Sequence, residues 1–207
     1  MRTPAILMVG ACLLAASLFL VFHPVLAAPS ATGIGPAYAA NGDMLPPTNY
    51  REWIYLSSGV DMSYSPKPAD MTMFDNVFVN PEAYRSFVAT GAWPDKTVMV
   101  LEVREAISKG SINQSGHYQG TRVMGFEVHV KDESRFPDKW GFFDFDAPGA
   151  NGTLIPQTAS CYSCHAAHAA VDTTFVQFYP TLLPIARDKK TLSEAFLKEE
   201  AEQPATK

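Results

Sequence analysis

The sequence predicts an α+β fold, a mainly antiparallel β-sheet with flanking helices and a helical C-terminal segment. Three observations carry this. Five runs of strand character fill the middle of the chain, one short helix pattern interrupts them, and beyond Pro156 the pattern turns to helices broken by proline.

The strand runs are "REWIYLSSGVDMSY", "MTMFDNVFV", "KTVMVLEVR", "RVMGFEVHVKD" and "WGFFDFD". They are rich in Val, Phe, Tyr and Trp, whose branched and aromatic side chains pack well on a pleated surface, and Pro, Gly, Asn and Asp separate them. Between the second and third, "PEAYRSFVATG" reads as a short helix on the sheet: Pro81 suits a first turn, Tyr84 and Phe87 stand one turn apart, and Gly91 is a stop signal. The C-terminal stretch carries helix breaks at Pro180 and Pro184 and a capping box at Thr191 and Glu194.

The 207 residues suit one domain with a real core, and 47% hydrophobic with 18% charged residues excludes a disordered chain. Residues 1–27 combine a basic start, a long apolar run, and Val25 and Ala27 as small residues before a cut at Ala28, the pattern of a secretory signal peptide. The alternative is an uncleaved anchor, since the apolar stretch from Ala5 to Phe22 nearly spans a bilayer. Cleavage removes Cys12 and Arg2, leaving two cysteines and a net charge that moves from −5 to about −6. That sign argues against nucleic acid or an anionic membrane surface as partner. Residues 28–45, small and almost uncharged, read as a flexible linker, 46–198 as the folded domain, and 199–207 as a disordered tail.

The chemistry lies in "SCYSCHAAH", where Cys161, Cys164 and His165 form the C-x-x-C-H pattern of covalent haem attachment. One helical turn presents both sulfurs to one edge of a porphyrin and aims the histidine at its iron. A thioredoxin-like redox pair needs a strand leading into the motif, and here "NGTLIPQTAS" precedes it. A zinc site needs His117, His129 or His168 to converge on the cysteines. One haem c, with His165 as the metal ligand, fits best, and it makes the helical segment haem-binding.

The opposite face of the iron decides what the haem does. A distal methionine gives an electron-transfer cytochrome, whereas an open position binds small molecules. The last methionine, Met124, precedes the motif, and Met99 and Met124 read as strand-face core, so the open site is favoured. His168 lies on the same side of its helix as His165 and cannot reach the other haem face. A six-coordinate electron-transfer cytochrome remains the alternative.

Several segments in one order, "PTNYREWIYLSSG", "VFVNPEAYRSFVATGAWPDKTVMVLEVREA", "GFEVHVKDESRF", "WGFFDF", "CYSCH" and "FVQFYPTLLPIA", resemble cytochrome P-460 and its relatives, the cytochromes c′-beta. The resemblance implies a periplasmic homodimer with one five-coordinate haem c. It also implies hydroxylamine oxidation, with electrons passed to a small periplasmic redox partner, or nitric oxide binding. It aligns Leu101 with the lysine that the P-460 branch bonds to a porphyrin meso carbon, a bond leucine cannot make. Lys96, pointing to the other strand face from Thr97, Met99, Leu101 and Val103, is a poor substitute.

The resemblance also aligns Glu127 with a pocket glutamate able to relay protons, as a catalytic group. Strand alternation alone puts Gly125, Glu127, His129 and Lys131 on a wet face. Phe142, Phe143 and Phe145 are candidates for the distal wall, with Phe143 taken as the cofactor contact; core packing is the simpler account of each.

Overall fold

The computed structural model describes residues 35–63, 66 and 70–202. The signal-peptide reading falls outside them. Six strands pair in chain order into one antiparallel meander: β1 (Ile54–Val60), β2 (Met73–Val79), β3 (Val98–Ile107), β4 (Tyr118–Lys131), β5 (Trp140–Asp144) and β6 (Thr153–Leu154). Among the described residues four α-helices accompany them: α1 (Pro81–Thr90), α2 (Ser160–His168), α3 (Leu183–Lys189) and α4 (Glu194–Glu202). The fold is the predicted α+β class, with the last three helices following the sheet.

Alternation along the strands divides the apolar residues between two cores. Phe78, Val98, Val100, Phe126, Val128, Val130, Phe143 and Phe145 face one side, where Met44, Tyr50 and Trp53 cover them. Leu56, Val79, Met99 and Trp140 face the other, packed against α1, α3 and α4 through Phe87, Trp93, Leu182 and Phe196. Helix α1 starts with Pro81 and stops at Gly91, whose left-handed φ of 77° lets its N–H reach Phe87 O at 2.7 Å. A Cβ at Gly91 would meet Lys189 at 2.6 Å, so the close seating of α1 beside α3 needs glycine there.

Four sequence expectations change. Residues 35–45 are not a linker: Tyr38 and Met44 bridge each other, Met44 also bridges Gly152, and Met44 is 1% exposed in the core. The cue was hidden because small, uncharged residues also suit a tight backbone-paired turn. Residues 199–202 are not a disordered tail, because α4 runs to Glu202 and Glu200 pairs with Arg187 at 2.7 Å, while 203–207 lie outside the described residues. Thr191 is not a helix cap: its hydroxyl donates to Gly91 O at 2.7 Å, while Ser193 Oγ accepts the Phe196 N–H at 3.1 Å and caps α4. The two-residue β6 was read as loop, since Thr153 and Leu154 are too few to show alternation.

Candidate functional site

A cavity of about 680 Å³ lies between the β2–β5 face of the sheet and α2 with the loop that follows it. Along its wall the strand register stacks side chains in layers. Met99 pairs with His129, and His129 with Phe142; one step on, Val77 pairs with Leu101 and Leu101 with Glu127; beyond that, Asp75 pairs with Val103. Successive same-face layers are about 7 Å apart, two residues of strand rise.

Helix α2 supplies the opposite wall. None of its residues is fully buried, although it holds two cysteines and four residues that are Ala or His. Cys161, Cys164 and His165 all line the cavity, as i, i+3 and i+4 positions on one helix face must, and both thiols are free. Tyr162 fixes the helix to β5: its hydroxyl donates to Ile155 O at 3.0 Å and accepts the Phe142 N–H at 3.2 Å.

His165 Nδ1 lies 2.7 Å from the Thr173 carbonyl. A carbonyl can only accept, so Nδ1 carries the proton and Nε2 keeps its lone pair, the tautomer that binds a metal. Burial holds the ring below the ordinary histidine value, against the opposing pull of that carbonyl. Beside it, His129 stacks on Phe142 at 4.0 Å and 12° and meets His165 edge-on at 5.3 Å. Burial, and then the neighbouring His165, push His129 well below the ordinary range, so it is neutral. Phe175 covers another side of His165 at 4.3 Å.

Further along the wall, Glu127 stays accessible, yet burial by the cavity walls raises its carboxyl, helped by Asp144 and Asp75. Asp75 is raised by burial and by Asp61. The face of β4 that alternation marked as wet therefore borders the cavity at Glu127 and His129, and at Lys131 it is buried against Trp93 O and Asp172. Leu101 lines the cavity between Val77 and Glu127. Lys96 does not: it leaves the strand with φ 64° and pairs with Asp132.

Phe143 is not at this site. It is 0% exposed in the opposite core, near Tyr38 and Phe136, because odd-numbered positions of β5 turn away from α2. Phe145 packs on Phe126 in that same core, and Phe142 takes the cavity position. Met124 is outside the cavity wall. Met99 stands in the His129 layer at 4% exposure, and Met62, 41% exposed, lines the wall near Gly59, against which it packs. His168 faces Glu199 at 3.5 Å near the surface.

Sequence reasoning missed His129, Lys131, Tyr162 and Thr173 as parts of the site. The signal available was His129 and Lys131, spaced by two on the strand face that also carries Glu127.

Two free thiols on one turn, a neutral histidine with one nitrogen committed and the other free, and walls of Val77, Met99, Leu101, Phe142 and Phe175 suit a haem. Such a sheet and site define a haem-binding cytochrome. The family model of cytochrome P460 matches residues 47–176, and the chain belongs to that family. It is thus a c-type cytochrome that binds haem iron. Comparison with curated proteins returns no match.

Proposed function

We propose that Cys161 and Cys164 form thioether bonds to one haem, that His165 Nε2 ligates its iron, and that small nitrogen species, hydroxylamine or nitric oxide, react on the other side. The observation that carries this is the register placing Leu101 opposite Glu127 in the layer beyond Met99 and His129. That layer offers an aliphatic wall and one carboxyl group, suited to a small uncharged ligand.

Haem iron supplies a coordination position and an electron acceptor. The chain supplies the rest. The Cys161 and Cys164 thiols anchor one edge, and the Nδ1–H to Thr173 O bond orients His165. Val77, Leu101 and Val103 exclude water from the reacting side. Glu127, its carboxyl raised by burial, Asp144 and Asp75, is poised to take a proton from an N–OH group and release it. Oxidation of hydroxylamine with nitric oxide to nitrous oxide and water releases one proton and one electron. The proton passes to Glu127 and the electron to a small redox partner. Residues 1–27 support export to the periplasm, and the resemblance supports a homodimer.

Steady-state hydroxylamine oxidation with an artificial electron acceptor, beside nitric oxide titration of the ferrous protein, tests this reading. Turnover in the parent shows that Leu101 suffices where a cross-linking lysine is expected. Turnover only in Leu101→Lys, with nitric oxide bound by the parent, makes the protein a nitric oxide binder. Neither turnover nor nitric oxide binding overturns the proposal.

A further inference from the structure

The tight turn Val171–Thr174 holds His165 from behind, and β4 holds the turn. Val171 and Thr174 bridge each other, and Asp172 takes a left-handed φ of 52°, which turns the Thr173 carbonyl onto His165 Nδ1. Lys131 Nζ donates to Trp93 O at 2.8 Å and meets Asp172 at 3.2 Å; Trp93 Nε1 donates to Thr174 Oγ1 at 2.7 Å. Thr173 itself is braced by His129, whose Nε2 lies 3.2 Å from its Oγ1, one atom donating and the other accepting.

A polar ring on a buried strand face is costly unless it makes a hydrogen bond, and a phenyl ring would fill the same stack between Trp140 and Phe142. The imidazole therefore gains its distinct use from the contact with Thr173. Because the partner of a ligating histidine's second nitrogen sets ring orientation and basicity, whatever fixes Thr173 also acts on the iron–histidine bond.

We propose that His129 is a positioning residue for His165, acting through Thr173 to hold the proximal imidazole in place and keep it electron-rich. This rests on the reading of His165 as the iron ligand. It assigns to β4 a role on the proximal side, in addition to that of Glu127 on the other side.

The test is the iron–histidine stretching band of the ferrous holoprotein by resonance Raman, with the midpoint potential and thermal melting, in three variants. His129→Phe keeps the aromatic stack and loses the polar contact; Thr173→Val keeps the carbonyl and loses the hydroxyl; His129→Gln keeps a polar group in reach of Thr173. The expected result is a shift of the band to lower wavenumber and a rise in potential in the first two, in the same direction, with His129→Gln close to the parent. If the first two variants melt lower while band and potential stay in place, His129 is only packing and the inference falls. If the parent itself shows no iron–histidine band, the five-coordinate iron on His165 that the proposed function requires is absent, and the inference falls with that reading.

Discussion

Phe142 and Phe143 are adjacent in β5, yet they serve different cores, and truncating each in turn separates site from scaffold. Phe142 stacks on His129 at 4.0 Å and meets His165 and Tyr162 edge-on at 4.6 and 4.8 Å. Phe143 contacts Tyr38 and Phe136 on the far side of the sheet. Both are buried, at 7% and 0% exposure, so Phe142→Ala and Phe143→Ala should each cost about 3–5 kcal/mol. For a domain of this size 1 kcal/mol shifts the melting temperature by roughly 2–4 °C, which puts both losses at roughly 6–20 °C.

The two variants part at the haem. Phe142→Ala removes a wall of the His165 ring and should alter the ferrous absorption spectrum and weaken nitric oxide binding, whereas Phe143→Ala should leave both as in the parent. Thermal melts and absorption spectra of the holoproteins read out the two halves. A Phe143→Ala protein with the spectrum of Phe142→Ala, or a Phe142→Ala protein that melts within 1 kcal/mol of the parent (about 2–4 °C), would refute the assignment of faces.

Glu127→Gln should lower hydroxylamine turnover by about 100-fold or more, as expected for loss of a proton relay. The same change should stabilise the protein at neutral pH. The folded state holds the Glu127 proton more tightly than the unfolded chain, so ionisation costs stability, fully so above the raised folded value and not at all below the ordinary value of 4.5. Melts at pH 7 and near pH 4 check this: the gap between variant and parent should close in acid. Glu102, 0% exposed on the far face, accepts from Tyr50 Oη at 2.5 Å and Arg104 Nε at 2.6 Å and pairs with Arg51. Burial opposes its ionisation, but Arg104, Tyr50 and Arg51 outweigh burial and hold it below the ordinary range. Glu102→Ala should therefore cost about 3–5 kcal/mol by chemical denaturation at neutral pH. That loss should shrink as pH falls through the depressed folded value, where the parent gives up the same pairing.

The sheet was legible because Val, Phe, Tyr and Trp crowd the strand runs while Pro, Gly, Asn and Asp separate them, and α1 because Pro81 and Gly91 bracket it. The haem motif was legible from spacing alone. What escaped was orientation. Alternation separates the two faces of β4 but cannot say which of them meets water, and a face bearing Glu127, His129 and Lys131 looks solvated until α2 and the Thr173 turn are placed over it. The same ambiguity favoured Phe143 over Phe142 among the three candidate phenylalanines, since a one-residue step exchanges the faces of a strand. Met44 was lost to composition: a segment of small residues hides one core side chain held by backbone pairing with Gly152.

The central claim is a haem held through His165 with its opposite side open, and the absorption spectrum of the purified ferrous protein tests it most directly. The account predicts five-coordinate, high-spin iron whose spectrum changes on addition of nitric oxide. A six-coordinate, low-spin spectrum in both oxidation states, reverting to five-coordinate in Met62→Leu, would contradict it and make the protein an electron-transfer cytochrome with methionine as its second axial ligand.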